Sequence, residues 1–137
     1  MTTMNAIQEI KGMLQRFPQI SFEASINGIK VLPISNTGFT VEIIKDIEQY
    51  TVFFGGWHQS FTDAEEAINC FWFGLSTGCR LKEYRRWGFA YRWALEYKEA
   101  GEWIEDSRTT LLLFPYIGAK KVRVLQNRVI SNEENFE

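Results

Sequence analysis

The side chains of this sequence best suited to proton transfer are His58 and the acids that follow it, Asp63 and Glu65. His58 is the single histidine, and imidazole is the side chain whose ordinary pKa lies nearest neutrality. It stands in Gly55-Gly56-Trp57-His58-Gln59, read as a loop leading into a capped helix, and such loops often carry function. A general base oriented by Asp63 or Glu65 would make the protein a small hydrolase or isomerase. No matched nucleophile or phosphate cradle accompanies the histidine, so this is the third of three functional readings.

Metal chemistry finds less to work with. His58, Cys70 and Cys79 offer three ligands at long spacing, whereas structural zinc takes four and favours closely spaced Cys pairs. Both thiols sit where small buried apolar residues are wanted. Gly74-Leu75-Ser76-Thr77-Gly78 lacks the Lys of a phosphate-binding loop and falls at the end of a helix, not its start. Glu96-Tyr97-Lys98 pairs a carboxylate with a lysine as metal-dependent nucleases do, but has no companion Asp on an upstream strand. Neither metal nor cofactor is expected.

Recognition chemistry is better represented. Arg80, Lys82, Arg85, Arg86 and Arg92 against Glu83 give +4 over residues 80–92, and Lys120, Lys121, Arg123 and Arg128 add another +4. Acids elsewhere cancel them: residues 42–66 sum to −5 and residues 96–106 to −4, leaving a net charge of −2. If neighbouring strands form a meander, Arg80, Lys82, Arg86 and Arg92 share one solvated face with Tyr84, a composition that can hold phosphates and stack bases. The simpler account of the same residues is a solvated face whose arginines pair across strands with Glu96, Glu102 or Glu105. A sequence pI of about 5.5 lacks the basic footprint of most nucleic-acid binders and favours the simpler account.

Aromatic side chains are concentrated in the same stretch. Of 21 aromatics, 15 lie between Tyr50 and Trp103, including all five Trp. Trp57, beside a Gly-Gly loop, and Trp87, at a turn next to Arg85 and Arg86, are expected to stay exposed. Exposed Trp with Arg is the composition of interface hot spots.

The elements that must hold these residues follow from periodicity. Ile7, Ile10, Leu14 and Phe17 recur at helical spacing and stop before Pro18. From Ile20 the period becomes two, and Asn27-Gly28 marks a hairpin returning over residues 29–34. Phe39, Val41 and Ile43 alternate with polar residues, a turn spans 46–49, and Tyr50 to Phe54 resumes as a strand. The central helix opens on a Thr62-x-x-Glu65 capping box and presents Ala64, Ala67, Ile68, Phe71, Trp72 and Leu75 on one face. Strands follow from Cys79, with Trp87-Gly88 at a turn and Phe89, Tyr91, Trp93, Leu95 and Tyr97 on one side of the next strand. Further strands are expected over Trp103-Ile104, Thr110 to Phe114 and Lys121 to Ile130.

The expected architecture is α+β: a predominantly antiparallel, multi-stranded sheet with an N-terminal helix and a central helix packed on one face. Residues 1–130 form a single domain, and residues 131–137 are a frayed acidic tail. Two cysteines, no secretory N-terminal segment and no apolar run near the roughly 18 to 20 residues of a membrane helix point to a cytoplasmic protein without a membrane partner. The first functional reading is a non-enzymatic module that binds another protein through Trp57, Trp87 and the Arg85/Arg86 region. The second is single-stranded nucleic-acid binding on the face of Arg80, Lys82, Tyr84, Arg86 and Arg92. A homodimer formed through an exposed strand edge is a further expectation.

Overall fold

A computed structural model of the chain describes residues 6–111 and 118–130. The expected tail at 131–137 and the strand expected over Leu112 to Phe114 lie outside the described residues. Helix α1, Ala6–Leu14, buries Ile7, Ile10 and Leu14 on one stripe, as their spacing demands. Five strands follow: β1 (Phe22–Ala24), β2 (Gly28–Val31), β3 (Val41–Lys45), β4 (Tyr50–Phe54) and β5 (Trp57–Phe61). They pair in sequence order as an antiparallel meander. Helix α2, Ala64–Gly74, precedes β6 (Cys79–Arg86), β7 (Phe89–Glu99), β8 (Glu102–Thr110) and β9 (Lys120–Leu125). These four make a second antiparallel sheet in the order β8-β7-β6-β9. The class is α+β as expected, with two sheets.

Strand β5 was expected as a loop. Only Trp57 of Trp57-His58-Gln59-Ser60-Phe61 is fully buried, so the run carries little of the apolar alternation by which strands are recognised. It forms because Gly55, at φ +57°, turns the chain back along β4 and its backbone amides find partners there. The cap of α2 also differs from expectation. Asp63, not Thr62, takes the extended N-cap conformation, and its carboxylate accepts from the Glu65 amide at 3.2 Å.

The core lies between the inner face of the five-stranded sheet and the layer formed by α2 and the second sheet. Ile29, Val31, Val41, Ile43, Val52 and Phe54 from the first sheet meet Ala67, Phe71, Trp72 and Leu75 of α2, with Leu81, Leu95 and Leu125 from the second. Trp57 fills the junction of the sheets: its ring stacks on Phe54 at 4.8 Å between centroids, and its Nε1 donates to Ser107 Oγ on β8 at 3.0 Å. Gly56 lies against the Trp93 ring so closely that a Cβ there would overlap it. Behind β9 the chain is pinned by Asn127, whose Oδ1 accepts from the Phe39 amide and whose Nδ2 donates to the Gly74 carbonyl, both at 2.9 Å.

Two irregularities in the second sheet decide which side chains reach solvent. Tyr84 stands opposite Arg92, but Arg85 stands opposite Ala90, so Tyr91 is an extra residue in β7. Asp106 is similarly extra in β8, since Leu95 faces Ser107 and Glu96 faces Glu105. The bulge at Tyr91 breaks the expected aromatic stripe. Trp93, Leu95 and Tyr97 keep to the inner face, whereas Phe89 stands opposite Arg86 and joins the outer one.

Candidate binding surface

Alternation along β6 places Arg80, Lys82, Tyr84 and Arg86 on the outer face of the second sheet, and cross-strand register adds Arg92 and Glu96 from β7. Strand β9 contributes Lys120 opposite Arg86, Val122 opposite Tyr84 and Val124 opposite Lys82. The five residues of the expected basic face are therefore brought together. Phe89, Tyr91, Trp103 and Lys120 join them and were not foreseen. Lys120 is distant in sequence and reaches Arg86 only because β9 pairs with β6; the basic run 120–123 was the available signal.

Other expected surface residues go elsewhere. Trp57 is only 1% exposed, so its proposed role as a contact residue is corrected: the Gly-Gly turn directs its ring inward onto Phe54. Arg85 points to the opposite face from Arg86, where it pairs with Glu83 at 2.6 Å and donates to the Gly88 carbonyl. The Arg85/Arg86 pair is thus split by the strand's own alternation. Trp87 is 65% exposed, as expected, and Phe89 beside it is 66% exposed. The two flank Gly88 in a turn where Trp87 has φ +56° and Gly88 φ +78°. Such a turn favours Asn-Gly, and a bulky Trp in the left-handed region is costly.

The electrostatics of the face are uneven. Glu96, 5% exposed, receives Arg80 Nε at 2.5 Å and Lys82 Nζ at 3.4 Å. Arg80 also lies 4.4 Å over the Trp103 ring. On β8 the carboxylate of Glu105 takes both Arg108 Nε and Nη2, and these bonds hold it below the usual carboxylate range. The pairing across strands considered from sequence is therefore present for Arg80 and Lys82. Among the described residues no carboxylate lies at ion-pair distance from Arg86, Arg92 or Lys120, which meet aromatic rings and backbone or hydroxyl oxygens; Glu105 attracts Arg92 at longer range.

His58 sits on the outer face of the first sheet with its ring 5.8 Å from that of Phe53, while its backbone amide donates to Thr109 Oγ1. Asp63 is engaged as the helix cap, and Glu65 supplies the amide that it caps. No described hydrogen bond or ion pair joins His58 to either acid. A depression of about 500 Å³, open to solvent, is lined by Glu23, Ser25, Lys30, Glu42 and Ile44, and His58 is not part of its lining. Cys70 and Cys79 are free thiols; burial, with Asp106 nearby, pushes Cys70 up to about 12, and burial likewise raises Cys79 well above the ordinary thiol value. Among the described residues no group of His, Cys, Asp and Glu could hold a metal ion, and no helix is long and apolar enough to cross a membrane. No family model, curated protein or solved structure matches this chain.

Proposed function

We propose that the protein is a non-enzymatic, cytoplasmic binding module that docks another protein through the β6–β7 hairpin tip, with Trp87 and Phe89 as anchors and Arg86 beside them. One observation carries this reading. Among the described residues Trp87 and Phe89 are the exposed aromatics, while the remaining aromatic rings are buried or half-buried. A strained Trp at the tip of a hairpin adds nothing to the core, and desolvating such a ring at an interface yields the hot-spot contribution of roughly 2 kcal/mol or more. Two free thiols, Cys79 buried and Cys70 half-buried, suit a reducing compartment.

A pull-down from cell lysate with the wild-type chain, Trp87→Ala and Arg86→Ala tests it. The expected result is a partner captured by wild type and lost with either change, but retained by Ile47→Ala, a control at a side chain 95% exposed elsewhere. A capture that ignores both substitutions removes the reading.

The second reading, single-stranded nucleic-acid binding, draws on the shared face of Arg80, Lys82, Tyr84, Arg86 and Arg92. It requires affinity for an oligothymidylate that falls steeply with salt, because each phosphate contact releases counterions. Flat or absent binding at low salt excludes it.

A further inference from the structure

On the outer face of the second sheet three cations gather with no carboxylate at ion-pair distance among the described residues, Glu105 acting on Arg92 only at longer range. Arg80 and Lys82 share Glu96, and Arg108 is held by Glu105. Arg86, Arg92 and Lys120 have no carboxylate at ion-pair distance among the described residues, and they converge on two phenol rings 6.5 Å apart. The Arg92 guanidinium lies 5.6 Å from the Tyr84 ring and 5.7 Å from that of Tyr91. Arg86 lies 5.7 Å from Tyr91, and Lys120 Nζ 5.5 Å from Tyr84. The bulge is the cause: the extra residue brings the Tyr91 ring to the side of Arg92, between the two guanidinium groups.

Both arginines are held in place. Arg86 Nη1 donates to the Gly118 carbonyl at 2.9 Å, and Arg92 Nε donates to Thr110 Oγ1 at 3.2 Å. Arg86 Nε is buried with no hydrogen-bond partner. Three like charges around two rings repel one another, and the half-buried guanidinium groups have lost hydration; cation–π attraction offsets part of this. An anion placed among them would offset the rest and accept from the donors left over.

We infer that Arg86, Arg92 and Lys120 form a binding site for a phosphate monoester carried by a side chain of the partner protein, beside an apolar residue taken by Trp87 and Phe89. The inference rests on the protein-binding reading above. A phosphate monoester carries close to two negative charges and three acceptor oxygens, which suits three cations better than a single carboxylate does. Planar guanidinium forks match its geometry. A nucleic-acid strand would need cations repeated along its length, but of the further cations on this face Arg80, Lys82 and Arg108 are already engaged by carboxylates, which leaves Lys98 beside the Trp103 ring.

The full chain, titrated with O-phosphotyrosine and O-phosphoserine and followed by two-dimensional NMR of backbone amides and Arg Nε groups, tests the site. Expected are saturable shifts at Arg86, Arg92 and Lys120, with the dissociation constant raised at least tenfold by Arg92→Gln. Lys120→Gln, at an exposed position, should give the same loss and decides the matter if the Arg92 variant fails to fold. Lys45→Gln, at an exposed position on β3 of the other sheet, should change nothing. Absence of saturable shifts, shifts mapping elsewhere, or affinity unaffected by either substitution overturns the inference. So does far tighter binding of a twelve-residue oligothymidylate with a salt slope of several phosphates. Partner capture lost with Trp87→Ala but kept by Arg92→Gln, and kept after phosphatase treatment of the lysate, removes the phosphate site while leaving the hairpin-tip reading standing.

Discussion

Across the outer face of the five-stranded sheet, Glu23, Lys30, Glu42, Phe53 and His58 stand in one row, one from each strand. Across the outer face of the four-stranded sheet the rows read Phe89, Arg86, Lys120, then Thr110, Arg92, Tyr84, Val122. In the first, a lysine lies between two acids, so opposite charges are immediate neighbours and one negative charge is left over. In the second, cations have rings and aliphatic groups as neighbours, and cancellation happens only further along, at Glu96 and Glu105. Two sheets built from the same local rules thus differ in what they ask of solvent. The first alternates its charges and leaves one acid over, and the second gathers cations against a half-buried and a buried phenol ring.

The strongest way to break this division is to break the junction that holds the two sheets together. Trp57→Ala removes the ring stacked on Phe54 and the Ser107 bond, and is expected to cost about 3–5 kcal/mol in urea denaturation. Asn127→Ala comes next. It leaves the Phe39 amide and the Gly74 carbonyl without their partner, for an expected loss of about 1–3 kcal/mol in the same measurement. Glu96→Gln is expected to cost about 1–2 kcal/mol, a modest value because Arg80 and Lys82 remain partly solvated. It also frees two more cations on the face, so affinity for an oligothymidylate at low salt should rise above that of the wild-type chain.

At the hairpin tip the expected change reverses sign. Trp87→Asn places a residue suited to the left-handed region before Gly88 and should stabilise the fold by up to ~1 kcal/mol while abolishing partner capture. The smallest effect near neutrality belongs to the thiols. Because burial raises the native Cys70 to about 12, the native state keeps its proton where the unfolded chain loses it. Stability from this source is fully present below the ordinary thiol value and is lost as pH rises through the range up to about 12. A denaturation series should therefore be flat with respect to Cys70 from pH 6 to 8 and decline above about pH 9, less steeply in Cys70→Ala.

Much of this was legible in the chain itself. Helical spacing at Ile7, Ile10 and Leu14, and at Ala67, Phe71 and Trp72, marks both helices because each buries a single stripe. The basic run from Arg80 to Arg92 marks the charged face because alternation along β6 repeats it and the hairpin to β7 sets Arg92 beside it. Trp57 was misplaced because Gly55-Gly56 looks like a loop, whereas the pair makes a tight turn that aims the ring inward. Phe89 was misplaced because a bulge shifts the phase of a strand without leaving a mark in the hydrophobic pattern. Lys120 and Asn127 act through pairing partners far away in sequence, and no local pattern reports those.

The extra residue at Tyr91 has one more consequence. It divides β7 into two lengths that answer to different constraints: Trp93, Leu95 and Tyr97 keep the inner phase, and Ala90 and Phe89 follow a phase of their own. Substitutions at the tip therefore need not propagate into the interior, so the hairpin end can be exchanged for another sequence while the scaffold beneath it stays as it is.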